Sequence, residues 1–402
     1  MKQVVLNFKR LLSFSIKAEW HKIFRDKGVL LILIGAMIIY PLVYSIAYYN
    51  NVLRDINMVV VDSDHSPLSR QAIRKLDASS KIEITKQTSN LQEAFDFLDK
   101  GIVKGIIVLE NGFEKSIYTG NRAKVSLYCD GSSFLLYKET LSGVWSTLGT
   151  LSAGVEIKRM LAKGIRAEQS MIARDPIPSS FTILYNPQGA YAFYIMPALI
   201  LIILQQTLLI AIGMMGGAQR EIGKAKGPVS QIKTWSGIGA IIIGKALAYF
   251  LISLFNVLFA IVLVHSWFGY PDNGSMLHVF ALLIPFLLAT IFLGISMAQF
   301  FKHREHSIIF LVFLSPIVLF LSGVSWPEQL LPLFPRIFSY IFPSTFVAEP
   351  YLRLRTMGVD ISHVSEEILI LWGQAVFYFL LAIGTIRYYK SKKNNSITKT
   401  LS

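Results

Sequence analysis

The sequence predicts an integral membrane protein: an all-α bundle of six transmembrane helices, with an inserted extracytoplasmic α/β domain and an N-terminal amphipathic interface helix. Three observations support this fold class. Of the 402 residues, 53% are hydrophobic and 16% are charged, which is too apolar for an ordinary soluble domain. The apolar residues form long runs, and two of them, 191–215 and 238–264, flank a basic polar loop. Each run is long enough, as a helix, to cross a hydrocarbon core of roughly 30 Å. The basic residues, finally, are confined to a few segments.

The distribution of charge predicts the side of the membrane on which each loop lies. Residues 1–28, 216–245, 301–306 and 387–402 together hold 19 Lys and Arg against 4 Asp and Glu, while the rest of the chain holds 20 against 21. Short loops rich in Lys and Arg stay in the cytoplasm, so both termini are predicted to be cytoplasmic. Because the net charge of +14 is spread over short loops, a nucleic-acid-binding surface is the weaker interpretation.

Residues 1–28 predict an amphipathic helix in the membrane interface. Apolar residues recur every three or four positions, at Val5, Phe8, Leu12, Ile16, Trp20 and Ile23. Cations lie on the opposite face, where they would meet anionic headgroups. A tail that only orients the chain is the alternative. Residues 29–49 predict the first span, an uncleaved anchor rather than a signal peptide, because the long apolar run follows a basic tail.

Residues 50–190 have the composition of a soluble domain and are predicted to lie outside the cytoplasm. Strand patterns at 56–61, 81–85, 105–109 and 124–128 alternate with helical patterns at 66–76, 90–98 and 113–118. This alternation predicts a small α/β domain. Residues 132 to about 171 predict one long helix that returns toward the bilayer. Cys129 is the only cysteine, so no intramolecular disulfide can form, and its role is not predicted.

The remaining spans are predicted at 277–301, 307–324 and 368–386. Between the last two, residues 326–352 are apolar and yet contain Pro327, Pro332, Pro335, Pro343 and Pro350. A straight membrane helix cannot hold prolines at this density, because each one removes a backbone hydrogen bond. A re-entrant hairpin at the outer face, packed against protein, is therefore predicted.

The chemical motifs in the chain do not predict catalysis. Residues 239–245 resemble a phosphate-binding loop, but Ala246 stands where a Ser or Thr is needed and the segment is apolar and helical. Lys245 is instead expected to extend from the start of a span toward the cytoplasm. The seven histidines lack metal-ligand spacing apart from His303 and His306 in one loop. No catalytic, cofactor-binding or metal site is predicted. The spans are almost uncharged, which disfavours a proton- or ion-coupled carrier, so the energy for any transport must come from another subunit.

Four stretches together resemble the ABC-2 type exporter permease, in the variety with a large domain between the first two spans. They are Val59–Ser69, Leu184–Pro187, Ile243–Lys245, and Ser322–Pro327 together with Phe342–Phe346. The resemblance covers nearly the whole chain. It implies a multi-pass protein of the bacterial inner membrane that exports an amphipathic small molecule or drug-like compound.

The resemblance also implies partners and site residues. A cytoplasmic ATP-binding subunit would carry ATP and Mg, a second permease copy or paralogue would complete a dimer, and membrane lipids would surround it. A periplasmic adaptor and an outer-membrane channel are further candidate partners. The N-terminal helix and the loop 216–237 would couple to the ATPase through Trp20, Arg25, Arg220, Glu221 and Gly223, although Lys224–Pro228 replace the family's usual Gly-Thr-x-Glu. The outer hairpin would act as a gate at Trp326, Pro327, Pro343 and Phe346.

Two alternatives remain from the sequence. The chain could be a membrane-anchored receptor or surface-assembly protein that acts through its exterior α/β domain, without an ATPase. It could also export a lipid-linked glycan, although such transporters normally have little exterior domain. Co-purification of a cytoplasmic ATPase would separate the transporter from the receptor.

Overall fold

The computed structural model describes residues 2–49, 53–175, 182–187, 189–221 and 234–400. The chain forms two compact units. One consists of Met1–Asn51 with Ile183–Ser402, and the other of Val52–Thr182. The first contains the spanning helices, and the second is the α/β insert.

The insert is built on a four-stranded sheet in the order β2-β1-β3-β4. Strand β1 pairs in parallel with β2 and β3, and β4 is antiparallel to β3. Two helices of the other unit, α1 (Lys2–Arg25) and α2 (Lys27–Ala47), precede the insert. The elements of the insert, in chain order, are β1 (Ile56–Asp62), α3 (Pro67–Asp77), β2 (Ile82–Thr88), α4 (Leu91–Asp99), β3 (Gly105–Leu109), α5 (Phe113–Tyr118), β4 (Val125–Cys129), α6 (Phe134–Ala162) and α7 (Ala167–Arg174). The four strands and the helices α3, α4 and α5 between them begin and end within three residues of their predicted bounds.

Local signals explain this agreement. Ser66 caps α3 by accepting a hydrogen bond from the N–H of Ser69 at 3.0 Å, and Asn90 caps α4 through the N–H of Gln92 at 2.9 Å. Strand β1 is central and buried on both faces, because Met58 and Val60 pack in one apolar cluster while Val59 and Val61 pack in another. A continuous apolar run is typical of such a strand.

The prediction of a single helix from 132 to about 171 is wrong. Helix α6 ends at Ala162, and α7 begins at Ala167. Gly164 adopts φ +82°, a left-handed conformation that ends a helix at little cost only for glycine. Whether this segment returns toward the bilayer stays a prediction.

Asp64 connects two loops of the insert and makes the stability of the insert depend on pH in the acid range. Its carboxylate accepts hydrogen bonds from the N–H groups of Gly112 at 2.8 Å and Glu114 at 3.0 Å. Partial burial alone would raise the pKa of Asp64, but hydrogen bonds from Ser66, Glu114 and Gly112 outweigh it and lower the pKa. Because the pKa of Asp64 is lower in the folded than in the unfolded chain, its carboxylate stabilises the fold fully at pH values above the ordinary aspartate pKa. This stabilisation is lost as the pH falls through the pKa of Asp64 in the folded protein.

We therefore expect Asp64→Ala to destabilise the insert by about 1–3 kcal/mol at neutral pH, with a smaller difference from wild type in strong acid. Hydrogen exchange of the full-length protein in detergent, followed by mass spectrometry of peptides from β1 and β3, measures this. Asp96→Ala, on an exposed part of α4, is the control. Equal exchange in the Asp64 and Asp96 variants at neutral pH would contradict the assignment.

The other unit is helical, and in the described ranges six of its helices are long and apolar enough to cross a membrane. They are α2 (Lys27–Ala47), α8 (Tyr191–Glu221), α9 (Trp235–Phe268), α10 (Met276–Met297), α11 (Arg304–Leu321) and the first part of α14 (Ser365–Thr400), which follows the 3₁₀ turn Ile361–Val364. Between α11 and α14 lie the 3₁₀ turn Glu328–Leu330, α12 (Leu333–Ser339) and α13 (Pro343–Leu352). The six predicted spans are all present.

Among the described residues of this unit, three segments have the wider π-helical winding. They are Leu31–Gly35 within α2, Leu258–Val264 within α9, and Arg353–Met357 directly after α13. Such segments are rare, and they occur often at functional sites because the usual i to i−4 hydrogen-bond ladder is interrupted. The second and third of them meet, as described below.

Contacts between helix ends show which loops share one end of the bundle. Arg304 pairs with Asp26, and Arg220 binds the turn at Gln299, so the starts of α2 and α11 lie with the ends of α8 and α10. We call this the basic end. The opposite end, where Tyr270 binds Ser45, is the hairpin end. That the basic end faces the cytoplasm stays a prediction from the charge distribution.

Helices α12 and α13 form a hairpin whose tip lies level with the middle of the spanning helices α8 and α14. The amide oxygen of Gln205, midway along α8, accepts a hydrogen bond from the N–H of Ser344 at 2.8 Å, and its nitrogen donates to the Ser344 hydroxyl at 2.9 Å. Gln374, within α14, donates to the carbonyl of Tyr340 at 2.8 Å. Side-chain amides thus satisfy backbone groups that prolines and the turn leave free, as buried non-helical backbone requires.

Candidate functional site at the basic end of the bundle

Arg220, a predicted coupling residue, binds the turn that follows α10. Its guanidinium donates to the backbone carbonyl of Gln299, to the side-chain oxygen of Gln299 at 2.8 Å and to the carbonyl of Phe301 at 3.2 Å. It also lies over the ring of Tyr389, 4.9 Å from the centroid. Arg220 therefore joins α8, α14 and the turn, and most of its donors are used inside the bundle.

Two glycines let this turn approach α8 closely. A β-carbon on Gly217 would lie 2.5 Å from the carbonyl oxygen of His303 and 2.8 Å from the nitrogen of Arg304. One on Gly216 would lie 2.7 Å from the β-carbon of Ala298. These residues were not singled out from the sequence, although two adjacent glycines at the end of an apolar helix are a recognisable signal for close backbone approach.

Asp26 holds together the starts of α2 and α11. Its carboxylate forms a bidentate ion pair with the guanidinium of Arg304, at 2.8 and 2.9 Å. The same carboxylate caps α2 by accepting hydrogen bonds from the N–H groups of Gly28 and Val29, both at 3.1 Å. Burial alone would raise the pKa of Asp26, but the hydrogen bonds from Arg304 and Val29 outweigh it and lower the pKa. The carboxylate is thus charged at neutral pH, as this bidentate geometry favours.

The other predicted coupling residues lie nearer the surface. Glu221 is exposed, with its carboxylate 3.8 Å from Nδ1 of His303. Trp20 is 39% exposed and stacks on Phe24, with ring centroids 4.9 Å apart, and Arg25 is exposed at the end of α1. Gly223 lies outside the described residues, as does most of the loop 216–237.

The buried face of α1 differs from the predicted apolar face. Within residues 8–25, whose side chains the structure describes, Ser15, Glu19 and Ile23 are buried, whereas Trp20 is exposed. Glu19 was missed because a glutamate counts as polar in a periodicity argument. Its carboxylate lies 3.6 Å from the Nζ of Lys245, which was expected to extend toward the cytoplasm. The available signal was that Glu19 is the sole carboxylate in α1 and Lys245 the sole lysine in α9.

The predicted gate residues lie along the hairpin and the segment before it. Trp326 stacks on Phe320 of α11 with centroids 6.3 Å apart, and Pro327 precedes the 3₁₀ turn. Pro343 is buried as the first residue of α13, where proline costs no hydrogen bond. Phe346 packs on Tyr340 at the tip, 5.4 Å between centroids.

A buried arginine at the hairpin end was also missed. Arg355 is 1% exposed and lies in the π segment after α13. Its Nη2 is 2.7 Å from a carboxylate oxygen of Asp272 and donates to the carbonyl of Ile261 at 3.2 Å. Ile261 lies in the π segment of α9, so the guanidinium supplies a donor where the helical ladder is interrupted.

Comparison with known proteins shows which family the sequence resembles. The sequence signature described as "ABC-2 family transporter protein" matches residues 27–383. The "Probable multidrug ABC transporter permease YbhS" of Escherichia coli strain K12 is 21% identical over 388 residues, which cover 94% of this chain and 97% of that protein, and the protein of the same name from strain O157:H7 gives the same values. A crystal structure of a domain assigned to an ABC type-2 transporter from Thermotoga maritima MSB8 covers 30% of this chain and 81% of its own, with 20% identity and a TM-score of 0.24.

The family signature spans most of the chain, including five of the six span-length helices, most of the sixth, and the inserted sheet. Proteins of this kind are the transmembrane subunits of ABC transporters, not the ATPases. The chain therefore belongs to the ABC-2 family and is a multi-pass transporter permease, whose family implies a separate ATP-binding partner.

Proposed function

We propose that this chain is the transmembrane subunit of an ATP-driven exporter in the bacterial inner membrane, with an amphipathic small molecule as substrate. Two copies, or this chain and a paralogue, would dock two cytoplasmic ATP-binding subunits that bind ATP and Mg. The inserted α/β domain would lie outside the cytoplasm, where it could meet an adaptor or the exit path. The family signature over residues 27–383 is the observation that carries the proposal.

The geometry of the basic end supports a docking role for it. Ion pairs and hydrogen bonds join four helix ends there into one rigid surface, with Asp26–Arg304 and Arg220–Gln299 as the main connections. Glu221, Trp20 and Arg25 are exposed beside these connections and would contact the ATPase, while Arg220 would position the surface from within. A rigid receiving surface is what a push from a partner subunit requires.

The hairpin supports an outer gate. Its tip rests on side-chain amides at mid-depth and its far end is held by Arg355. A multidrug role is part of the printed name of the Escherichia coli relatives, and it is consistent with spans that present mainly apolar side chains.

The test is to purify the affinity-tagged chain from its native membrane and to identify co-purifying proteins. We expect an ATP-binding subunit in stoichiometric amount and a vanadate-sensitive ATPase activity. Trp20→Ala with Arg25→Ala and Glu221→Ala should reduce the bound ATPase subunit, while Glu366→Gln, an exposed acid near the start of α14, should not. Ethidium should accumulate more in a deletion strain than in the complemented strain.

Two results would count against the proposal. Purification of the intact chain without an ATP-binding subunit would favour the receptor alternative. Normal ATPase coupling together with unchanged accumulation of ethidium and other amphipathic dyes would leave the transporter but reject this substrate class.

A further inference from the structure

Helix α1 runs beside α9 in the same direction. The Ser15 hydroxyl donates to the carbonyl of Ile241 at 2.9 Å, and one turn later Glu19 meets Lys245 at 3.6 Å. The Tyr249 hydroxyl donates to Glu19 at 3.4 Å. The residue numbers of the contacting partners therefore increase together along the two helices, as they do when helices run parallel. Helix α1 packs against the N-terminal part of α9 in one defined register.

The two backbones approach closely at this contact. A β-carbon on Gly244 would lie 2.6 Å from the β-carbon of Ser15 and 2.9 Å from the carbonyl oxygen of Leu12. Ala240, Gly244 and Ala248 form a stripe of small residues at spacings of four along α9, the pattern that lets membrane helices pack backbone to backbone. The stripe explains why the helices touch, but small residues alone permit several registers.

The charged group fixes one register. The Glu19 side chain is 3% exposed, and around its carboxylate lie the amines of Lys245 and Lys22 and the hydroxyl of Tyr249. Burying a charged pair adds little net stability compared with apolar side chains, but it specifies position, because a shifted carboxylate would lose every partner on α9. A slide of α1 by one turn, about 5.4 Å, would break the contacts of Glu19 with Lys245 and Tyr249, and it would keep only the contact with Lys22, which lies within α1.

Helix α9 connects this contact to the opposite end of the bundle. It continues from Trp235 to Phe268, and its π segment presents the carbonyl of Ile261 to Arg355, next to the hairpin. A displacement of α1 that is transmitted to α9 at Lys245 would thus reach the hairpin through one continuous helix.

We infer that Glu19, Lys245 and Tyr249 form a positioning site, the Glu19 site, that passes the displacement of α1 to the third span during transport. The inference rests on the proposed function, since it needs an ATP-binding subunit that moves α1. The charges act by holding α1 and α9 in register, and an apolar contact of equal stability would let them slip.

The test uses the complex of the full chain with its ATP-binding subunits in lipid nanodiscs. A reporter cysteine, Gln329→Cys, is placed on the exposed 3₁₀ turn before the hairpin, with Cys129→Ser in the background. The rate at which a maleimide labels the reporter is measured without nucleotide and after trapping with ATP and vanadate. The parent complex should show a nucleotide-dependent change in this rate.

Three variants then separate register from stability. Lys245→Met should abolish the nucleotide-dependent change in labelling, while Lys245→Arg, which keeps the charge, should retain it. The double variant Glu19→Gln with Lys245→Met leaves no unpaired buried charge, so it should fold and bind the ATPase subunit and still lose the labelling change. Glu366→Gln serves as the matched control and should respond as the parent does.

The outcomes are distinct. If the assembled double variant keeps the parent's labelling change, the site is only a packing contact and the inference is overturned, while the proposed function stands. If the parent complex itself shows no nucleotide-dependent change, or binds no ATPase subunit, the proposed function fails and the inference fails with it.

Discussion

Gly217→Val is expected to prevent the basic end from assembling. The new β-carbon would meet the backbone of His303 and Arg304, at distances below 3 Å, and neither the turn nor α8 can yield without breaking the hydrogen bonds of Arg220. Overpacking against backbone, which cannot move aside as a side chain can, should cost about 3 kcal/mol, the upper end of the usual range. The measurement is the amount and melting temperature of monodisperse protein in detergent.

Gly373→Val is the matched control for this substitution. Gly373 is also a glycine within a spanning helix, but a β-carbon there would meet nothing within 4 Å. We expect near-wild-type yield and melting temperature. Equal losses in the two variants would show that valine in a spanning helix, rather than the close approach at Gly217, causes the defect.

Arg355→Met is expected to loosen the hairpin from the third span. The substitution removes the donor to Ile261 and the partner of Asp272, and it leaves a space in a site that is almost fully buried. Asp272 is 46% exposed and stays hydrated, so the cost comes from the buried carbonyl of Ile261 that loses its donor, and it should be about 1–3 kcal/mol. Hydrogen exchange should rise in peptides from α13 and from Leu258–Val264, with a lower melting temperature.

Arg336→Met gives the comparison for an exposed pair on the same hairpin. Arg336 binds Glu328 at 2.8 Å, but its side chain is 45% exposed, and such pairs contribute no more than about 1 kcal/mol. The effect of Arg355→Met should exceed that of Arg336→Met several-fold. If the two variants melted at the same temperature, the role assigned to the buried Arg355 would be wrong.

The elements that the sequence predicted well depend on local physics. The length of an apolar run decides whether a helix can cross the bilayer, and caps such as Ser66 and Asn90 fix where helices begin in the insert. The error at Gly164 is also local, because a glycine permits a left-handed residue without requiring one. The prolines of 326–352 excluded a straight span, but they did not identify Gln205 and Gln374 as the side chains that hold the hairpin tip.

The coupling residues illustrate the limit of this reasoning. The resemblance predicts Arg220 as part of the charged entry to the coupling loop, whereas the structure shows that it binds the turn 79 positions away. Glu19 was passed over because periodicity treats every carboxylate as solvent-facing, while its partner Lys245 lies 226 positions later in the chain. A pattern within one helix carries no information about which distant helix will meet it.

The sequence by itself determined that this chain has six helices of span length and an inserted α/β domain, since hydrocarbon thickness, helix capping and strand alternation act over neighbouring residues. The ABC-2 family was indicated separately, by the resemblance of four stretches to known permeases. Only the tertiary structure decided that Glu19 faces Lys245, that Gly217 touches the turn after α10, and that Arg355 bridges two π segments. These pairings depend on how helices pack against one another, and packing selects among many partners that a linear sequence leaves equivalent.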